Sequence, residues 1–232
     1  MQRPFCFSNL LCFVLIAFLS PSVMGQEKAV SLFNGKDLTG WKTKSGKAEE
    51  TLKVGLAKLN PKKAEELVVE GGNELINFKG GSKDFYSETK FGDALIELEF
   101  MVPKGSNSGV YVMGEYELQI FDSFGKAEVG PADVGGLYGA QAPALNASKA
   151  PGEWQKFVID FRAPKFDKDG KKTANAKFVK VTLNGKVIHE NVEMKGPTPG
   201  GLSGKEASEG PLMFQGDHGP VAYRNIQFTP SK

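Results

Sequence analysis

Over residues 92–102 the chain alternates. Ile96, Leu98, Phe100 and Val102 fall on one side, and Leu95, Glu97, Glu99 and Met101 fall on the other. A period of two residues predicts a half-buried strand with one face in the core and one in water. A turn, Pro103-Lys104-Gly105-Ser106-Asn107, leads to residues 109–113, where Val110 and Val112 alternate with Tyr111 and Met113. Past Gly114, residues 116–122 set Tyr116, Leu118 and Ile120 against Glu117 and Gln119. Three consecutive strands therefore present a polar or aromatic face, as expected of a ligand-binding sheet.

The same alternation returns at 154–161, where Gln155, Phe157, Ile159 and Phe161 oppose Trp154, Lys156, Val158 and Asp160. Residues 178–183 and 186–189 read as a hairpin, because Asn184-Gly185 suits the positive φ angles of a type I′ turn. Between the strand at 154–161 and this hairpin lies the polar stretch 164–176, expected to be a loop. Its Asp167-Lys168-Asp169-Gly170 matches the opening of a calcium-binding EF-hand loop, but Phe178 stands where that loop needs a bidentate Glu, so a solvated turn is the better reading. The Gly-, Pro- and Ser-rich stretch 195–210 reads as a surface loop before final strands at 211–215 and 221–228. Ten to twelve short strands, no helical periodicity, no internal repeat and no linker predict one all-β domain, a two-layer antiparallel sandwich.

The first residues are different. Arg3 precedes an apolar run over residues 5–19, and Ser20-Pro21-Ser22-Val23-Met24-Gly25 ends it. That arrangement is expected of a secretory signal peptide over residues 1–25, and the run is shorter than the roughly 20 residues that span a bilayer. Cleavage after Gly25 would leave Gln26 first, in a domain of residues 26–232 exported to the periplasm or the exterior, with no membrane span. Both cysteines, Cys6 and Cys12, lie in the signal, so the mature chain would hold no disulfide, thiolate nucleophile or cysteine-bound metal. The formal charge of +2 over 232 residues falls to +1 on loss of Arg3, far from the basic excess of a nucleic-acid binder.

Several segments coincide with a known family. They are Ser31-Leu32-Phe33-Asn34-Gly35-Lys36-Asp37-Leu38-Thr39-Gly40-Trp41, Asn107-Ser108-Gly109-Val110-Tyr111, Tyr116-Glu117-Leu118-Gln119-Ile120, Gly152-Glu153-Trp154, Leu183-Asn184-Gly185, Glu209-Gly210-Pro211-Leu212 with Gln215 and Asp217-His218-Gly219, and Tyr223-Arg224-Asn225-Ile226. In this order they resemble the 3-keto-disaccharide hydrolase domain over roughly residues 30–229. The resemblance implies a concanavalin-like jelly roll, akin to laminarinases, whose concave sheet binds carbohydrate, and action on glycosides already oxidised to a ketone at C3. Two positions depart from the family pattern. Met113 precedes Gly114 where relatives often carry Arg, and Gly216 separates Gln215 from Asp217-His218-Gly219.

A C3 ketone acidifies the proton on C2, so the glycosidic oxygen on C1 can leave by β-elimination once a base takes that proton, and water can add afterwards. This chemistry needs a base, an acid and a group that polarises the ketone. Glu117, mid-strand with Gln119 on the same side, is the first candidate acid/base, against the alternative of a plain solvent-facing strand residue. His218, in a Gly-flanked turn, is the second, since histidine is the side chain suited to proton transfer near neutral pH; the alternative is a loop histidine bound to backbone. Gln119 and Gln215 are candidates to bind sugar hydroxyls, and Tyr111 and Phe121 to stack on a sugar face. Arg224 either holds a substrate group or pairs with Asp217. Glu97 and Glu99 form a possible carboxylate pair of the glycosidase kind or a solvated face. Asp122 and His218 are two potential metal ligands, too few to define a site, so any cofactor stays unassigned. His189 reads as structural. The competing functions are an enzyme cleaving 3-keto-glycosides, a non-catalytic carbohydrate-binding module on the same fold, and a surface scaffold.

Overall fold

The computed structural model describes residue 1, residues 27–44 and residues 52–231; the expected signal segment beyond Met1, with both cysteines, lies outside the described residues. Fifteen strands and no helix occur among the described residues. They are β1 (Val30–Ser31), β2 (Trp41–Thr43), β3 (Leu52–Asn60), β4 (Lys63–Asn77), β5 (Phe85–Phe91), β6 (Ala94–Met101), β7 (Asn107–Val112), β8 (Tyr116–Phe121), β9 (Gln155–Arg162), β10 (Lys165–Phe166), β11 (Lys172–Ala174), β12 (Ala176–Leu183), β13 (Lys186–Met194), β14 (Gly210–Phe214) and β15 (Val221–Pro230). An eight-stranded sheet runs β13-β12-β9-β6-β15-β4-β3 with β1 added to β15, and a five-stranded sheet runs β2-β5-β14-β7-β8. Every pairing is antiparallel.

The inward positions are those that the alternation marks. Ile96, Leu98 and Phe100 of β6, Phe157, Ile159 and Phe161 of β9, Val110 and Val112 of β7, and Leu118 and Ile120 of β8 join one core between the sheets. Phe214 of β14 ties the layers by stacking on Tyr223 of β15 at 3.9 Å between ring centres, and within the five-stranded sheet Trp41 stacks on Phe214 at 5.4 Å. The result is the two-layer antiparallel jelly roll expected from the sequence. Asn184 and Gly185 adopt φ of 52° and 78°, the left-handed pair that a two-residue hairpin between β12 and β13 requires.

Three expectations need correction. The strands of residues 92–102, 109–113 and 116–122 do not share a sheet, because β6 pairs with β9 and β15 while β7 and β8 pair with each other in the opposite layer. Alternation shows which side of a strand is apolar and not which strand lies beside it. Met101, read as a wet position, is buried in a second small cluster with Ala222 and with Ala57, Leu67 and Ile76 of the β3–β4 hairpin. The stretch 164–176 contains the β10–β11 ribbon, whose Asp167 accepts the backbone N–H groups of Asp169 (3.0 Å) and Lys171 (2.9 Å) and so closes the turn with its own side chain.

Candidate active site

The site grows from the β14–β7–β8 end of the five-stranded sheet. Tyr111 lies opposite Glu117 and Gly109 opposite Gln119. On the other flank, Met213 lies opposite Tyr111, and just past the strand the Gln215 N–H donates to the Gly109 carbonyl at 2.9 Å. Since Val110, Leu118 and Phe214 point into the core, the intervening residues must point outward. Tyr111, Glu117, Gln119, Gln215 and His218 accordingly line one cleft of about 150 Å³, joined by Asn107, Tyr138, Pro199 and Gly200.

That outward face is not the open wet surface that alternation predicts. Glu117 is 2% exposed and Gln119 4%, because two loops roof them. One, around residues 132–141, takes the free edge of β8. Gln119 N–H donates to Gly136 (2.8 Å), and Gly135 and Tyr138 donate back to the carbonyls of Gln119 (2.8 Å) and Glu117 (3.1 Å). The other is the stretch expected as a surface loop. Its Thr198 hydroxyl accepts the Glu117 N–H at 2.9 Å and donates to the Glu115 carbonyl at 3.1 Å. The Glu115 carboxylate accepts from the Ser203 N–H and hydroxyl and from the Gly204 N–H, and Lys44 reaches the carbonyls of Gly200 (3.1 Å) and Gly201 (2.8 Å). The 195–210 stretch is a clamped wall.

Burial pushes the Glu117 carboxyl up to about 7, with a smaller push from the Asp84 carboxylate, while hydrogen bonding from Tyr111 and the field of His218 pull it down. The Tyr111 hydroxyl is held well above the usual phenol range by burial and by Glu117 beside it, so it serves as a donor. Two acceptors in the cleft are unpaired: the buried Oε1 atoms of Gln119 and Gln215 have no hydrogen-bond partner. The Gln119 amide is oriented by its Nε2, which donates to Asn107 Oδ1 (3.1 Å) and to the Ala132 carbonyl (3.3 Å), and its carbonyl oxygen is left without a partner. His218 is exposed at the cleft rim with Nδ1 paired to Asp217, which leaves Nε2 for proton exchange.

The chain reaches that rim through the additional glycine. A side chain at Gly216 would put its Cβ 2.3 Å from the Lys83 carbonyl, and its N–H donates to Asp84 Oδ1 at 3.1 Å. The other departure, Met113, sits left-handed (φ 55°) in the β7–β8 turn and lines a neighbouring cavity of about 450 Å³ instead of the cleft.

Arg224 is not brought to the cleft. It lies on β15 in the opposite sheet, bonded to Glu99 at 2.7 Å, 3.7 Å from Glu74 and stacked 4.0 Å over Trp154, and its partner is therefore not Asp217. Glu97 and Glu99 share that far face, Glu97 with Lys156 (2.7 Å) and Gln227 (3.1 Å), Glu99 with Arg224 and Asn225 (2.9 Å). Asp122 accepts from the Gly105 N–H (2.9 Å) and the Phe124 N–H (3.3 Å), closing turns. Phe121, half-buried at the end of β8, carries Lys126 5.0 Å over its ring. His189 is buried with Nε2 on the Gly135 carbonyl (2.6 Å), so it braces the roof loop, and burial holds its ring below the usual range. Among the described residues, no group of three His, Cys, Asp or Glu side chains could hold a metal ion, and no helix is long and apolar enough to cross a membrane. Tyr138 and the wall residues Pro199 and Gly200 escape sequence reasoning, since they reach the cleft through contacts between segments, whereas Asn107 joins it by the same alternation that places Tyr111 on β7.

The fold is a jelly roll with a small polar cleft on one sheet, and the family it belongs to makes it a carbohydrate-active protein. The chain belongs to the family of the 3-keto-alpha-glucoside-1,2-lyase-like domain, which matches residues 28–229. A candidate glycosyl hydrolase from Parabacteroides distasonis ATCC 8503 is similar at 26% identity and a TM-score of 0.69, over 88% of this chain and 84% of that one. A second from the same organism has 16% identity and a TM-score of 0.61, over 88% and 94%. No curated relative matches.

Proposed function

We propose that the protein is an exported enzyme that cleaves glycosides bearing a ketone at C3, by elimination across C1 and C2. One observation carries this reading: a buried carboxyl, Glu117, poised near pH 7 in the same small cleft as two unpartnered amide oxygens. A general base works best when its pKa lies near the operating pH. Buried unpaired acceptors are costly, and sugar hydroxyls are donors that would satisfy them.

In the proposed reaction Glu117 as carboxylate removes the C2 proton. The electron pair forms the C1=C2 bond, the C1–O bond breaks, and the leaving oxygen takes a proton from His218. The products are an alcohol and a sugar whose C1=C2 bond is conjugated to the C3 ketone. Addition of water, its hydroxyl to C1 and a proton to C2, would complete net hydrolysis. Tyr111 is kept protonated beside Glu117, its hydroxyl donating to the Pro199 carbonyl at 3.3 Å, while the Gln119 and Gln215 amides accept from ring hydroxyls. Family membership and the expected leader over residues 1–25 support the reading of an exported, sugar-active enzyme.

The test is incubation of protein lacking residues 1–25 with a 3-keto-glucoside and with its unoxidised parent. Turnover of the first and not the second is expected. Turnover of the parent alone would contradict the elimination route, and binding of both with turnover of neither would replace the enzyme by a carbohydrate-binding module.

A further inference from the structure

Gly109 lies mid-strand in β7, between Gln215 on one flank and Gln119 on the other. Glycine is disfavoured in a strand interior, where it adds backbone entropy and removes a packing side chain. Its backbone offers no reason for the choice, because Gly109 is absent from the left-handed conformations that require glycine elsewhere in the chain. The reason is spatial. A Cβ built on Gly109 would lie 2.2 Å from Glu117 Oε1, 3.0 Å from its Cδ and 3.1 Å from its Cγ, and these three atoms are its nearest neighbours. The Glu117 side chain thus crosses from β8 and lies over Gly109.

We propose that Gly109 is a positioning residue, its missing side chain forming the seat that holds the Glu117 carboxyl between the Gln119 and Gln215 amides. The inference rests on the proposed role of Glu117 but adds a separate claim about what puts the carboxyl there. With the strand row Gln215–Gly109–Gln119 spaced by about 4.8 Å per strand, a carboxyl over the middle position is within reach of a carbon whose neighbouring hydroxyls bind the two amides. The groups facing that carboxyl are Tyr111 from β7, Asp84 from the segment before β5 and His218 from the 216–219 loop. A methyl group at position 109 would first meet the far end of the Glu117 side chain and not backbone, so the backbone pairing survives and the carboxyl is displaced toward the open cleft.

The experiment compares wild type, Gly109→Ala, Glu117→Ala and the double variant in turnover of a 3-keto-glucoside, in pH–rate profile and in urea stability at pH 5 and pH 9. Gly109→Ala should remain cooperatively folded and lose about 10²-fold in kcat, the scale of a misplaced reacting group. Its acid limb should move to lower pH, and the loss of stability between pH 5 and pH 9 should shrink as the carboxyl gains water. In the Glu117→Ala background the same substitution should cost no further rate. Wild-type turnover with an unshifted profile, or rate losses that multiply in the double variant, would overturn the proposal. If Gly109→Ala fails to fold, the double variant should fold, because the clash is gone; an unfolded double variant would overturn it too. If the wild type turns over no 3-keto-glucoside, the functional reading falls, and the stability comparison alone decides where the carboxyl sits.

Discussion

Strands β6 and β8 carry nearly the same message in sequence and end in opposite situations. Each alternates large apolar residues with Glu or Gln, and each turns its apolar side into the shared core. On β6 the outward carboxylates are saturated: Glu97 pairs with Lys156 and Glu99 with Arg224 and Asn225, at the protein surface. On β8 the outward Glu117 and Gln119 are roofed by loops, Glu117 near pH 7 and Gln119 with an acceptor left over. Partnered, solvated charges stabilise a surface only slightly. Buried polar groups without partners weaken a fold unless something else binds them, so they mark the face on which a ligand is expected.

This contrast is most exposed to substitution of its two carboxylates. Glu117→Gln should lower kcat on a 3-keto-glucoside by about 10² to 10⁴-fold with little change in KM, whereas Glu99→Gln should leave kcat within about twofold; equal effects in steady-state kinetics would erase the difference between the faces. The next effect is on stability. Because folding raises the Glu117 pKa from 4.5 to about 7, the native state holds its proton more tightly than the unfolded chain. This group therefore costs nothing below about pH 4, and its penalty grows through the window from 4.5 to 7. Above that window the ionised native state carries a cost on the order of 3 kcal/mol. Urea unfolding should show Glu117→Gln more stable than wild type at pH 9 and equal to it at pH 4, and a gap that does not vary with pH would count against the buried carboxyl.

Smaller changes are expected from the amides and from the far face. Gln119→Ala or Gln215→Ala should weaken substrate binding about tenfold, the worth of one lost hydrogen bond, seen as a higher KM with a modest change in kcat. Glu97→Gln should alter stability by less than about 1 kcal/mol, measured by the same urea titration; a larger loss would mean that the ion pairs of β6 matter more than their exposure allows.

How much of this was readable without coordinates follows from the range of each contact. The alternation of β6 to β9, the Asn184-Gly185 turn and the two-layer class are local, and a local pattern sufficed. So did the outward direction of Tyr111, Glu117, Gln119 and Gln215, set by the inward neighbours on each strand, but that β14 lies beside β7 and so joins Gln215 to the others is a non-local fact. The roof was hidden because it depends on contacts such as Lys44 with Gly200 and Glu115 with Ser203, more than eighty residues apart in each case. Arg224 was misplaced for the same reason: its neighbour Glu99 belongs to β6, and no periodicity near residue 224 shows that β15 lies beside β6. The long β3–β4 hairpin was also unread, as its charged outer half, from Lys63 to Glu70, gives no clean apolar face.

Isotope incorporation at C2 reports whether the cleft works by taking a proton from that carbon. A 3-keto-glucoside is incubated in D2O with wild type, with Glu117→Gln and without protein, and C2 of the released sugar is examined by NMR or mass spectrometry. Elimination followed by water addition predicts deuterium at C2 at a rate that tracks turnover, falling with Glu117→Gln to the uncatalysed background. Elimination alone predicts an unsaturated sugar with no hydrogen on C2. A released saturated sugar that keeps its original C2 hydrogen would mean direct displacement at C1, and the account of Glu117 as the C2 base would be wrong.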